Sequence, residues 1–133
     1  LATDWSPASR RAVDYLIAIK PLVEEVRVVH VVDEGRINGK TVMEVQLARK
    51  EAKARLEQTC ARLQAAGVPA RSHVYVGPPA EGVEKAAREC QATMVVLGSS
   101  SKSHWVERWI GSVPREIAES SAFPTLLIAP ERD

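Results

Sequence analysis

The sequence predicts one α/β domain in which a small parallel sheet is wrapped by helices. Strand-like and helix-like patterns alternate along the whole chain, and two of the strand-like stretches are almost continuously apolar, as in strands buried on both faces. Parallel neighbours require crossover helices, so this alternation indicates a doubly wound sheet. The 133 residues, 45% hydrophobic and 26% charged, suit a single domain. We expect residues 1–133 to form that domain, with its first strand cut short at the start.

The first half of the chain contains two strand patterns and two helix patterns. Residues 1–3 read as the end of an apolar strand, and Ser6-Pro7 supplies a helix cap followed by proline at the first helical position. The β-branched stretch at residues 26–32 predicts a central strand. A long helix is predicted from about 41 to 66, with Gly67 as its C-terminal cap.

The second half continues the alternation. A loosely alternating stretch at residues 69–76 predicts an edge strand, and helical spacing of apolar residues predicts a helix through Val83 and Ala87. Three further elements are then predicted: an apolar strand at 93–97 ended by Gly98, a helix at about 112–121, and a last strand at 125–128.

Composition excludes several classes of function. A net charge of +1 is too balanced to favour nucleic acid as a partner. The longest apolar runs are far shorter than the roughly 20 residues that a membrane-spanning helix needs. Cys60 and Cys90 have no metal-ligand or redox spacing, so we interpret them as buried residues in a reducing compartment, and we expect a cytoplasmic protein.

The stretch from Gly98 to Ser112, GSSSKSHWVERWIGS, combines features of an anion-binding loop. It leaves a buried strand and opens a helix, whose free N–H groups attract negative charge. Its serines offer hydroxyl donors, and Lys102 and His104 can supply positive charge. Taken alone, the stretch fits a solvated serine-rich loop with a serine N-cap equally well.

The spacing within this loop resembles the universal stress protein family, whose hallmark is G-x2-G-x9-G-[S/T] after the fourth strand. Here the corresponding residues are Gly98, Ser101 and Gly111-Ser112. The likeness covers essentially the whole chain, since LATDWSPAS, VVHVVDE and SVPREIAESSAFPTLLIAP are similar to the family's opening strand and turn, second strand, and closing helix and strand.

The resemblance implies a flavodoxin-like sandwich with strand order 3-2-1-4-5, helices on both faces, and a homodimer formed through the last strand, residues 125–128. It implies a cytoplasmic stress-response protein that binds ATP, with Mg²⁺ as a further possibility and an unknown regulatory partner. The residues that correspond to the family's nucleotide site are Ala2, Thr3 and Asp4 around adenosine, Val31 beside the base, Leu97 and Gly98 at the strand end, and Ser101, Gly111, Ser112 and Val113 around the phosphates.

Ser101 departs from this motif, because a serine stands where the family has its second glycine. If the backbone there is left-handed, the side chain costs roughly 1 to 2 kcal/mol and weakens binding about ten- to thirtyfold. If the missing side chain instead makes room for phosphate, the serine closes the pocket. Both alternatives remain open from the sequence.

Trp5 also stands where the family has glycine or a smaller residue. It could stack on adenine, block the base site, or fill the core.

The common catalytic signatures are missing: the sequence has no G-x-S-x-G, HExxH or Walker loop. We therefore expect no dedicated enzyme and no catalytic residue, with a weak ATPase as the most that the site would support. The alternative function is a dimeric interaction module of the same fold that binds no nucleotide.

Overall fold

The computed structural model describes residues 1–33, 41–98 and 123–129. Three helices and four strands are assigned there, together with a 3-10 turn at Lys20–Leu22. In chain order they are α1 (Pro7–Ala18), β1 (Val26–Val32), α2 (Val42–Ala65), β2 (Ala70–Val76), α3 (Pro79–Glu89), β3 (Val95–Gly98) and β4 (Thr125–Ile128).

Local sequence signals explain where the helices begin and end. Ser6 caps α1, since its hydroxyl accepts the Ser9 N–H, and Pro7 occupies the first helical position. Thr41 caps α2 in the same way through the Glu44 N–H. Beyond α2, Gly67 has a φ of +91°, the left-handed conformation expected just past a helix end. The predicted caps, Ser6 before α1 and Gly67 after α2, are therefore confirmed, whereas Thr41, predicted as the start of α2, is its N-cap.

The strands pair in parallel as two two-stranded sheets, β1 with β2 and β3 with β4. Val26 lies opposite Ala70, and Val95 lies opposite Thr125. Ala2 forms isolated parallel bridges with Val29 of β1 and with Leu97 of β3.

Hydrogen bonds accompany these bridges. The Thr3 N–H donates to the Val29 carbonyl at 2.8 Å, and the Ala2 N–H donates to the Val96 carbonyl at 3.0 Å. Residues 1–3 thus make bridges rather than a ladder, and the single five-stranded order 3-2-1-4-5 stays a prediction.

The core lies on both faces of the strands. On one face α3 packs against inward-facing residues such as Val31 and Leu97. On the other face α1 and α2 pack against residues such as Val28 and Val96. The described strands and helices therefore form an α/β fold with helices on both sides, as the sequence predicts.

The strand predicted at 93–97 needs adjustment at both of its ends. The strand predicted at 93–97 begins at Val95 and includes Gly98, because its pairing starts where β4 begins, with Val95 opposite Thr125. The preceding Met94 is 39% exposed, so its apolar character did not mark a buried strand position. The helix predicted at 112–121 lies outside the described residues.

Candidate functional site

The carboxyl ends of β1 and β3 are brought together by the short segment that lies between them. Ala2 and Thr3 are 5% and 4% exposed, and Val31 and Leu97 are buried even more completely. Because these four side chains are buried in the protein, they offer a ligand little polar side-chain chemistry. A ligand at this edge would meet main-chain groups and the side chains of the turn that follows Thr3.

That turn begins at Asp4, whose carboxylate organises the start of α1. One oxygen, Oδ1, accepts the Ser9 hydroxyl at 2.8 Å and the Ser6 N–H at 3.0 Å. The Ser6 and Ser9 hydroxyls are also 3.2 Å apart. The first turn of α1 is therefore already capped by its own side chains.

Trp5 has a φ of +68°, a left-handed conformation that is uncommon for a bulky residue. Its backbone N–H donates to the Thr3 hydroxyl at 3.2 Å. Its ring stacks on His30 with the centroids 4.8 Å apart, and the Arg55 guanidinium carbon lies 4.3 Å from the Trp5 ring centroid. We call Trp5, His30 and Arg55 the Trp5 stack.

The Trp5 stack belongs to the α1 and α2 face of the strands, since Trp5 packs against the cluster that these helices share. The base-side residue Val31 belongs to the opposite cluster, beneath α3. Of the alternatives for Trp5, this placement supports packing within the protein.

His30 connects the Trp5 stack to the backbone at the carboxyl edge. Its Nδ1 donates to the Thr3 carbonyl oxygen at 2.7 Å. Burial lowers the pKa of His30 below its ordinary value, and the nearby Arg55 charge adds to this, while the Thr3 bond and the Asp4 carboxylate act in the opposite direction. The balance favours a neutral imidazole that keeps its Nδ1 proton.

Gly98 ends β3 directly against α1. A Cβ placed on Gly98 would lie 2.5 Å from the Ser9 nitrogen and 2.6 Å from the Ala8 carbonyl carbon. Both neighbours are main-chain atoms of a helix, which cannot move aside cheaply. Close packing alone therefore requires glycine here, whether or not a phosphate lies nearby.

The remaining predicted site residues are Ser101, Gly111, Ser112 and Val113, and they lie outside the described residues. The described part of the site is thus the adenosine side, formed by residues 2–4, Val31, Leu97 and Gly98. Asp33, at the end of β1, is buried at this same edge.

The described ranges contain no group of three or more His, Cys, Asp or Glu residues close enough to hold a metal ion. None of the helices in these ranges combines the length and the hydropathy of a membrane-spanning segment.

A separate cavity of about 570 Å³ lies at the opposite, amino edge of the strands. Its lining includes Leu1, Arg27, Gln91 and Val95. Of the predicted nucleotide residues that the structure describes, Ala2 alone lines this cavity, so the cavity is distinct from the described part of the carboxyl-edge site.

Comparison with known proteins decides the family. The model of the universal stress protein family matches residues 1–129. This chain belongs to the universal stress protein family. Universal stress protein MJ0577 of Methanocaldococcus jannaschii is 26% identical to it over 146 aligned positions, covering 95% of this chain and 90% of the relative.

Solved structures of universal stress proteins share the fold. The structure of MJ0577 superposes with a TM-score of 0.81 at 29% identity, covering 99% of this chain and 94% of the other. A family member from Burkholderia pseudomallei gives a TM-score of 0.73 at 24% identity, covering 96% and 91%.

In this universal stress protein two residues that contact Trp5 of the turn, His30 and Arg55, were not predicted as site residues. They are distant in sequence from Trp5, and nothing in their local pattern indicates a shared contact. His30 lies on β1, one of the strands that the sequence predicts.

Proposed function

We propose that this universal stress protein binds an adenine nucleotide of the ATP type and acts as a stress-response regulator. The observation that carries the proposal is the bridging of Ala2 to both Val29 and Leu97, which gathers the ends of three chain segments at one edge. In open α/β sheets, ligands bind at the carboxyl ends of strands where the strand order reverses.

We further propose that the β1–β2 and β3–β4 sheets are parts of one five-stranded sheet. With residues 1–3 as the central strand, the order is β2, β1, residues 1–3, β3, β4, which corresponds to 3-2-1-4-5. The bridges of Ala2 on both sides support it. The reversal of strand order then falls at residues 1–3, next to Asp4.

Each site residue has a proposed role. Ala2, Thr3 and Asp4 border adenosine, Val31 lies beside the base, and Leu97 and Gly98 border the sugar and phosphates at the strand end. The phosphates would bind the loop through Ser101, Gly111, Ser112 and Val113. Mg²⁺ would be held mainly by phosphate oxygens, with Asp4 and Asp33 as the nearby carboxylates.

Relatives of the same fold support this ligand class. A universal stress protein solved in complex with cAMP has a TM-score of 0.65 at 24% identity, covering 98% of this chain and 94% of that one. A family protein from Arabidopsis thaliana with AMP bound has a TM-score of 0.69 at 16% identity, covering 96% and 82%. At these identities the likeness concerns the fold, and the ligands belong to those proteins.

Calorimetric titration of the purified protein with ATP, ADP and AMP in the presence of Mg²⁺ tests the proposal. We expect saturable heat with ATP at or below millimolar concentration. Asp4→Ala should weaken it, whereas Glu24→Ala, which removes an exposed carboxylate next to the amino-edge cavity, should not. No heat with any of the three nucleotides at millimolar concentration would refute nucleotide binding.

A second candidate function is a dimeric interaction module in the cytoplasm that has the same fold and binds no nucleotide. Its supporting observation is β4, which pairs only with β3 among the described strands and leaves Leu127 48% exposed. An apolar edge strand is stabilised by pairing with a second copy.

Light scattering tests this second candidate. The wild type should have the mass of two chains, and Leu127→Glu should have the mass of one. Leu22→Glu is the matched control, because Leu22 is 84% exposed and lies outside β4. A wild-type mass of one chain would contradict the dimer without affecting the nucleotide proposal.

A further inference from the structure

We propose that His30 is a positioning residue for the ligand site: it holds the turn of residues 3–5 through the Thr3 carbonyl and the Trp5 ring. The ligand part of this inference rests on the proposed nucleotide binding. The claim about the turn itself rests only on contacts within the described residues.

The first contact is the hydrogen bond from His30 Nδ1 to the Thr3 carbonyl, at 2.7 Å. Thr3 is buried, so a carbonyl left without this donor would lose a hydrogen bond that water could not readily replace. The bond links β1 to the residue immediately before Asp4. His30 thereby fixes the direction in which the chain leaves residues 1–3.

The second contact is the stack of His30 on Trp5, with an interplanar angle of 28°. Trp5 has a left-handed backbone, which is sterically unfavourable for a residue with a Cβ. A conformation of this kind persists only when surrounding contacts enforce it. His30 beside the ring and Arg55 at 4.3 Å supply such contacts from β1 and α2.

These contacts bear on the ligand site through Asp4, which lies between the two anchored residues. Its carboxylate accepts the Ser6 N–H, and the Trp5 N–H bonds to the Thr3 hydroxyl, so the turn carries its own hydrogen bonds. A turn that is already rigid before binding loses little conformational entropy when the ligand binds. Loosening His30 should therefore weaken ligand binding even though His30 is not proposed to touch the ligand.

Two substitutions separate the two contacts. His30→Phe keeps a ring for stacking but removes the donor to Thr3, and His30→Asn keeps a donor near the Nδ1 position but removes the ring. His73→Asn is the matched control, because His73 lies on the neighbouring strand β2 and is far in sequence from the turn. Its Nε2 contacts the Arg27 guanidinium at 3.2 Å.

Two measurements are made on each protein: the ATP dissociation constant with Mg²⁺, and the hydrogen-exchange rates of the Trp5 and Ser6 amides without ligand. We expect His30→Phe to exchange faster at both amides and to bind ATP roughly tenfold more weakly, as for loss of one buried hydrogen bond. His30→Asn should recover most of the affinity, and His73→Asn should match the wild type. A purely structural histidine would lower stability without changing the affinity of the folded protein.

The outcomes distinguish this inference from the proposed function. If the wild type binds ATP and both His30 variants bind it as tightly as the wild type does, the inference is overturned and the proposed function stands. If the wild type binds no ATP, the proposed function fails together with the affinity half of the inference. The exchange rates still decide whether His30 holds the turn, and unchanged rates in His30→Phe would refute that half.

Discussion

Gly98 lies so close to α1 that a Cβ at this position would come within 2.5 Å of the Ser9 nitrogen. The end of β3 and the first turn of α1 are thus in main-chain contact. This contact sets the separation between β3 and the Asp4 turn, and therefore the shape of the carboxyl edge.

Gly98→Ala should lower the free energy of unfolding by about 1–3 kcal/mol, the usual cost of forcing extra volume into a packed site. Gly82→Ala is the matched comparison, because a Cβ there would meet Val31 methyl groups, the nearer at 2.6 Å, rather than main chain. Alanine also favours the interior of α3 by up to about 1 kcal/mol, which offsets part of the strain. Urea unfolding should show the larger loss for Gly98→Ala, and equal losses would contradict this explanation.

Trp5 offers a test of its left-handed backbone. Trp5→Ala and Trp5→Gly both remove the stack with His30, but only glycine adopts a φ of +68° without steric cost. Both variants should be less stable than the wild type, and the glycine variant should be the more stable of the two by about 1 kcal/mol. If Trp5→Ala proves more stable than Trp5→Gly, the assignment of a left-handed backbone to Trp5 is wrong.

The pH dependence of stability follows from His30. Its pKa is lower in the folded protein than the ordinary value of 6.5, so the unfolded chain binds the proton more tightly. The contribution of neutral His30 to the free energy of unfolding should therefore be complete above about pH 6.5. It should decrease as the pH falls from there to the lower pKa of the folded protein.

Urea unfolding at pH 7.5 and at pH 5 measures this effect as a difference between the wild type and His30→Asn. The variant should lose less stability between the two pH values, since the other titrating groups, including His73, are common to both. A steeper loss in the variant would mean that His30 is stabilised as a cation, contrary to its burial.

Ser101→Gly tests the departure from the family motif. If a left-handed backbone is needed at this position, glycine should raise ATP affinity roughly ten- to thirtyfold. Ser101→Ala is the control, because it keeps the Cβ and removes only the hydroxyl. An alanine variant that gains as much as glycine would show that the hydroxyl, rather than the backbone, limits binding.

The elements of the fold could be predicted because their signals are local. Ser6 before Pro7, and Gly67 directly after a long helical stretch, act on the residues beside them. The apolar run of β1 reflects burial on both faces, which is also visible in the sequence. These predictions needed no knowledge of which segments meet in space.

The Trp5 stack could not be predicted, because Trp5, His30 and Arg55 come from a turn, a strand and a helix. A tryptophan with positive φ carries no sequence signal, since only glycine marks that conformation reliably. The close contact of Gly98 with Ser9 was missed for a similar reason: the sequence indicates only that Gly98 ends a strand and belongs to the motif, while the structure adds a packing cause.

The most direct test of the central claim is a map of backbone amide chemical shifts as ATP and Mg²⁺ are added to ¹⁵N-labelled protein. We predict saturable shifts at Thr3, Asp4, Val32 and Gly98, at the carboxyl edge, with Arg27 and Gln91 beside the amino-edge cavity unchanged. Shifts confined to the amino-edge cavity, or none at millimolar ATP, would contradict a nucleotide site at the carboxyl ends of the strands.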